Sequence, residues 1–78
     1  MKTMTCKQLG GACDAAFRAD TFEAIAEQSK QHGMEMFRIQ DAAHLEAMQR
    51  MRALAQAPEA MARWLKARKQ AFEALPED

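Results

Sequence analysis

Two adjacent glycines, Gly10 and Gly11, separate two short runs in which apolar and polar residues alternate. A Gly-Gly pair is typical of a two-residue type I′ turn, because both central residues of that turn need a positive φ. A turn at this position pairs the two runs as antiparallel strands and places Met4 opposite Phe17. The pattern therefore predicts a β-hairpin over residues 1–19.

This register separates the side chains of the hairpin by polarity. Successive side chains of a strand point to opposite faces, and one face here is apolar: Met4, Cys6, Cys13, Ala15 and Phe17. The other face is polar: Thr3, Thr5, Lys7, Asp14 and Arg18. A turn at Leu9-Gly10 is the alternative, and it would place Cys6 opposite Cys13. Both registers predict that the two cysteines share the buried face.

Length and charge exclude several classes of protein. The chain has 78 residues, with 11 basic and 11 acidic side chains, so its formal net charge is zero. A chain of this size forms one domain with a thin core, and the balanced charge argues against a general nucleic-acid binder. No apolar run approaches the roughly 20 residues of a membrane span, and the N-terminus lacks the apolar segment of a signal peptide. We therefore expect a cytoplasmic protein with free thiols.

One amphipathic helix is predicted over residues 20–37. The Asp20 carboxylate can accept an amide of the first turn, and Glu23 can reach back to complete a capping box. Side chains at helical spacing then form one stripe: Phe22, Ile25, Ser29, His32 and Met36. We expect the helix to break or fray between Gly33 and Gln40, because glycine commonly follows the last turn of a helix.

Two further helices are predicted over residues 41–55 and 58–75, followed by a tail over residues 76–78. Asp41 is the candidate N-cap of the first, and Pro58 fits the first turn of the second, where its missing N–H costs nothing. The short link between them implies an antiparallel helical hairpin. The fold class is therefore α+β, a two-stranded hairpin packed on a helix and followed by a helical hairpin. We expect a second apolar cluster of Met48, Met51, Trp64 and Phe72.

Two cysteines in the hairpin and one histidine in the first helix resemble part of a ββα zinc site. Cys6, Cys13, His32 and Met36 follow the pattern Cys-x6-Cys-x18-His-x3-Met. Thiolates from a hairpin and side chains from one helix face can converge on a tetrahedral ion. The thioether of Met36 suits copper better than zinc, so either metal is a candidate. Alternatively, Cys6 and Cys13 are small buried hydrophobes, and His32 is hydrogen-bonded where the hairpin meets the helix.

Other motifs carry weaker indications. His44 follows Asp41 by three residues, and we interpret it as a surface or capping residue, with a metal ligand or general base as the alternatives. Met34 is interpreted as a packing residue rather than a copper ligand. The basic segment 63–69 is interpreted as a solvated helix face rather than a phosphate site. The chain has no phosphate-binding glycine loop and no serine-nucleophile motif, so we predict that it is not an enzyme.

Several stretches of the chain resemble the small bacterial and archaeal family called domain of unknown function 1059. These stretches are TCKQLGGACDAAF and ADTFEAIAEQSKQHGMEM. The later runs DAAHLEAMQRM and PEAMARWLKARKQAFEALPED are similar to longer members. The resemblance implies two N-terminal cysteines and a histidine on a helix, which Cys6, Cys13 and His32 match. Many members carry a second histidine near the position of Met36. The resemblance implies no activity.

The function predicted from the residues is that of a small structural or protein-interaction module. A metal-binding protein that uses Cys6, Cys13 and His32 is the first alternative, and a thiol redox sensor is the second. A core this thin also predicts a homodimer through helix faces around Trp64 and Phe72, besides an unidentified protein partner. Neither nucleic acid nor membrane is an expected partner.

Overall fold

The computed structural model describes residues 1–78 and places a two-stranded antiparallel sheet at the N-terminus. Strands β1 (Lys2–Thr5) and β2 (Ala16–Ala19) pair with Met4 opposite Phe17, which confirms the predicted register. Met4 and Phe17 are buried, so the apolar face of the hairpin is the inner one. Alternation of apolar and polar residues fixes this register, because a slip by one residue would expose the whole apolar set.

The connection between the strands differs from the predicted two-residue turn. Residues Lys7–Leu9 form one turn of 3-10 helix, and only Gly10 of the two glycines has a positive φ, at 93°. The carbonyl of Cys6 accepts hydrogen bonds from the amides of Leu9 at 3.0 Å and Gly11 at 2.8 Å. The type I′ turn was therefore a wrong prediction, and the chain instead curls around Cys6 before it returns to β2.

Helix α1 (Phe22–Arg38) begins one residue later than the predicted cap implies. The N-cap is Thr21, whose hydroxyl accepts a hydrogen bond from the Ala24 amide at 3.1 Å, so the assignment of the cap to Asp20 was wrong. The helix continues through Gly33 and ends at Arg38, within the predicted interval. Gln40 then adopts a left-handed φ of 59°, which turns the chain away from the helix.

Helices α2 (Ala42–Ala55) and α3 (Pro58–Ala74) match the predicted bounds closely. Asp41 caps α2 by accepting the His44 amide at 3.0 Å, as its position predicts. Pro58 occupies the first turn of α3. The link Gln56–Ala57 has only two residues, so α3 folds back along α2 as in a helical hairpin. The two helices are in contact.

The core lies between the hairpin, α1 and the C-terminal half of α3. Its buried members are Met4, Cys6, Phe17, Ala19, Ile25 and Phe72. Phe72 packs edge-on against Phe22 with ring centroids 6.0 Å apart. Its assignment to a second cluster with Trp64 was therefore wrong, because the end of α3 reaches β1 rather than stopping against α2. Phe72 itself is only 4% exposed, and the homodimer through helix faces around Trp64 and Phe72 stays a prediction.

The core is small even for a chain of this length. Only 8 of the 78 residues are buried, and the molecule is a plate with extents of 33 × 29 × 15 Å. Small domains of this kind commonly gain stability from a metal, a disulfide or a partner chain. No helix of the protein is both long enough and apolar enough to cross a bilayer.

Candidate metal centre

Four side chains from three elements converge beside the core. Cys6 and Cys13 come from the two ends of the loop between the strands, His32 from α1 and His44 from α2. Their ligand atoms, two thiol sulfurs and two imidazole nitrogens, all lie within 4.8 Å of one another. We call this set the Cys2His2 cluster. It contains Cys6, Cys13 and His32, three of the four residues that the sequence predicts as ligands, together with His44.

Two sulfur–nitrogen distances within the cluster are close to those of a tetrahedral metal site. The Cys13 sulfur lies 3.3 Å from Nε2 of His32, and the Cys6 sulfur lies 3.6 Å from Nε2 of His44. Metal bonds of the usual zinc–sulfur and zinc–nitrogen lengths at a tetrahedral angle would separate a sulfur from a nitrogen by about 3.6 Å. Both distances also suit S–H···N hydrogen bonds, so the four groups are compatible with one another without an ion.

The loop around Cys6 depends on a glycine at position 11. A Cβ atom added to Gly11 would lie 2.1 Å from the sulfur of Cys6 and 3.1 Å from its carbonyl oxygen. No side chain fits in that space, although the φ of Gly11 is not in the left-handed region. Gly11 is therefore required because the backbone approaches the thiol closely, and not because of a turn conformation.

The two thiols have different electrostatic environments. Burial raises the pKa of the Cys6 thiol, and the backbone amides of Cys13 and Ala12 partly oppose that rise. The backbone amide of Ala15, 3.5 Å from the Cys13 sulfur, lowers the pKa of the Cys13 thiol. Amides directed at both sulfurs stabilise thiolates, the form in which cysteine binds metals. Both cysteines are free.

His44 is held in place by Asp41. One carboxylate oxygen of Asp41 lies 2.6 Å from Nδ1 of His44 and 3.0 Å from its backbone amide. This contact raises the pKa of the His44 imidazole and lowers the pKa of the Asp41 carboxyl. A proton on Nδ1 leaves the Nε2 lone pair free to bind an ion. Such carboxylate–histidine pairs orient the ligands of many metal sites.

The sequence analysis interpreted His44 as a surface or capping residue. The structure shows that it is buried and that it contacts the other members of the cluster. Its exposure is 6%, and its ring stacks edge-on against His32 with centroids 5.2 Å apart. The Asp-x-x-His spacing was visible in the sequence. The spacing could not show that α2 packs against α1 next to His32.

Met36 and Met34 lie beyond the cluster on α1. Met36 is half-buried one helical turn after His32, and the ring in contact with His32 is that of His44. Met34 is 57% exposed. The two sulfurs and two nitrogens of the Cys and His side chains are already enough donors for a tetrahedral site.

Two basic side chains of the segment 63–69 are in contact with other parts of the protein. Arg68 donates to the carbonyl oxygen of Gln8 at 3.1 Å, and Lys69 lies 3.7 Å from the carboxylate of Glu23. Trp64 is half-buried and lies against the position of Gly10. These contacts attach α3 to the loop and to α1, as a structural role requires.

Comparison of the chain with family models, with curated proteins and with solved structures found no match. The resemblance to domain of unknown function 1059 therefore stays a prediction from the quoted residues. The geometry of the Cys2His2 cluster carries the functional argument.

Proposed function

We propose that the protein binds one zinc ion through Cys6, Cys13, His32 and His44, and that the ion stabilises the fold. The observation that carries the proposal is the convergence of two sulfurs and two imidazole nitrogens within 4.8 Å. A donor set of two thiolates and two imidazoles in tetrahedral arrangement is that of structural zinc sites. Copper is the less favoured ion, because two thiolates and two imidazoles complete a zinc site without the thioether of Met36.

The role proposed for the ion is structural rather than catalytic. Catalytic zinc keeps one position for water or substrate, whereas four protein ligands close the coordination shell. An ion at this place would join the strand loop, α1 and α2, which share few buried contacts in so thin a core. The proposal is therefore compatible with the predicted role as a non-enzymatic module, and it adds the ion that such a module needs.

Elemental analysis of protein purified without a chelator or an affinity tag tests this proposal. We expect one equivalent of zinc per chain, and substitution by cobalt should give the visible absorption of a tetrahedral site. The variants C13S and H44A should lose the metal. M36L is the matched control on α1 and should keep it. Substoichiometric metal in the unaltered protein under all conditions, or full retention by H44A, would overturn the proposal.

A second candidate function uses the same two cysteines. Their sulfurs lie within 4.8 Å, and the pKa of Cys13 is lowered by the Ala15 amide. We propose that, without the ion, a peroxide oxidises the pair. The Cys13 thiolate attacks one peroxide oxygen, the O–O bond breaks, hydroxide leaves and Cys13 becomes a sulfenic acid. The Cys6 thiol then attacks the sulfur of that sulfenic acid, and its proton leaves with the hydroxyl group as water while the disulfide forms. Thiol titration after mild peroxide treatment tests this step, and unchanged free thiols in metal-free protein would exclude it.

A further inference from the structure

A cavity of about 200 Å³ adjoins the Cys2His2 cluster and opens to solvent on one side. Its lining includes three residues of the cluster, Cys6, His32 and His44, and the apolar side chains of Leu9, Met48 and Met51. Cys13 is not part of this lining. A single metal ion held by its four ligands would fill only a small part of this volume. The cavity therefore extends well beyond the space that the proposed metal needs.

All three glycines of the chain line this cavity. Gly10 needs its positive φ, and Gly11 lies too close to Cys6 to carry a side chain. Gly33 has neither reason, because it has ordinary helical backbone inside α1. Within 4 Å of a Cβ at this position there is only the terminal methyl of Met48, at 3.9 Å, which is ordinary contact.

Gly33 therefore weakens α1 without a local steric cause. A glycine inside a helix costs about 1 kcal/mol relative to alanine. The position faces the cavity, so any larger side chain would take up cavity volume. Because Gly33 has no side chain, the space beside the cluster stays open.

We propose that this cavity binds a neutral aromatic molecule of one ring, such as a phenol. A dry cavity of about 150 Å³ is sufficient for benzene, so this volume admits one ring with a small substituent. Thioether sulfurs such as those of Met48 and Met51 make favourable contacts with aromatic rings. Ser29, the one serine of the chain, is on the wall and can hydrogen-bond a hydroxyl group. This proposal goes beyond the zinc site and does not require an ion.

The test is a titration with phenol, followed by NMR of protein labelled with ¹³C on the methionine methyl groups. Each of the seven methionines then reports its own surroundings. We expect saturable shifts for Met48 and Met51, and none for the exposed Met34. The metal content is measured in the same sample, so that phenol binding and zinc binding are assessed separately. Shifts of equal size at Met34 and Met48 would show non-specific binding and overturn the proposal.

Two substitutions at Gly33 separate cavity filling from helix stability. Both G33A and G33L remove the helical cost of glycine, so both should unfold at or above the temperature of the unaltered protein. G33A leaves most of the cavity and should retain saturable binding, whereas G33L fills it and should lose the shifts. Cyclohexanol serves as the non-aromatic probe and should bind more weakly than phenol. Retained binding in G33L, or equal binding of the two probes, would contradict the proposal.

Discussion

The hydrogen bond between Asp41 and His44 should control metal affinity separately from helix capping. Asp41 caps α2 through the His44 amide at 3.0 Å and orients the His44 imidazole at 2.6 Å. Serine is as good an N-cap as aspartate, but its shorter side chain cannot reach the ring in the same way. The variant D41S should therefore keep the cap and lose the orienting contact.

Loss of a carboxylate that orients a metal-binding histidine typically weakens metal binding by about 10- to 100-fold. We expect D41S to bind zinc more weakly within that range. The measurement is competition with a chromophoric chelator, combined with unfolding in urea for the same protein. An unchanged zinc affinity in D41S would refute the role assigned to Asp41.

The matched control is the cap of α1. Thr21 accepts the Ala24 amide and does not contact the cluster, so T21A should cost about 1 kcal/mol of stability. If folding and metal binding are fully coupled, that cost would lower the apparent affinity by about fivefold. A loss in T21A as large as that in D41S would show that general destabilisation, and not the Asp41–His44 contact, determines the affinity.

Three further predictions follow from the loop, the core and the thiols. G11A places a Cβ 2.1 Å from the Cys6 sulfur, so the zinc affinity should fall by at least about tenfold. Competition with a chelator measures this affinity, and an unchanged value would contradict the close approach of the Gly11 backbone to the Cys6 sulfur. I25A removes a side chain with 0% exposure and should cost about 2–5 kcal/mol in urea unfolding. The control I39A, at 50% exposure, should cost far less. Zinc affinity should fall as the pH is lowered, because protons compete for the ligands. Burial raises the pKa of Cys6, which is therefore protonated at neutral pH in the metal-free protein. Calorimetry in two buffers should accordingly detect proton release on zinc binding, and proton uptake would contradict this.

Local patterns predicted those parts of the fold that local interactions determine. The alternation around Met4 and Phe17 gave the strand register, because a slip would expose the whole apolar face. Asp41 and Pro58 gave the bounds of α2 and the start of α3, because a cap and a first-turn proline act within a few residues. Neither prediction needed knowledge of where one helix lies against another.

The parts that failed depend on three-dimensional contacts that the local pattern does not contain. The Gly-Gly pair looked like a turn, but Gly11 is a glycine because of the Cys6 sulfur five residues earlier. His44 lies 38 residues from Cys6, and its place in the cluster follows only from the crossing of α1 and α2. Phe72 reaches the hairpin only because α3 is long enough to extend past α2 to β1. No spacing rule along the chain predicts these approaches.

The order of the cluster residues along the chain has a consequence for synthesis. The last of them is His44, so all four precede α3 (Pro58–Ala74). If the proposed zinc site is correct, a growing chain can bind zinc as soon as α2 has emerged from the ribosome, while α3 is still being made. Phe72 would then dock onto a hairpin already held by the metal. In this order of events, a lack of zinc should impair folding of the nascent chain already during synthesis, before α3 is complete.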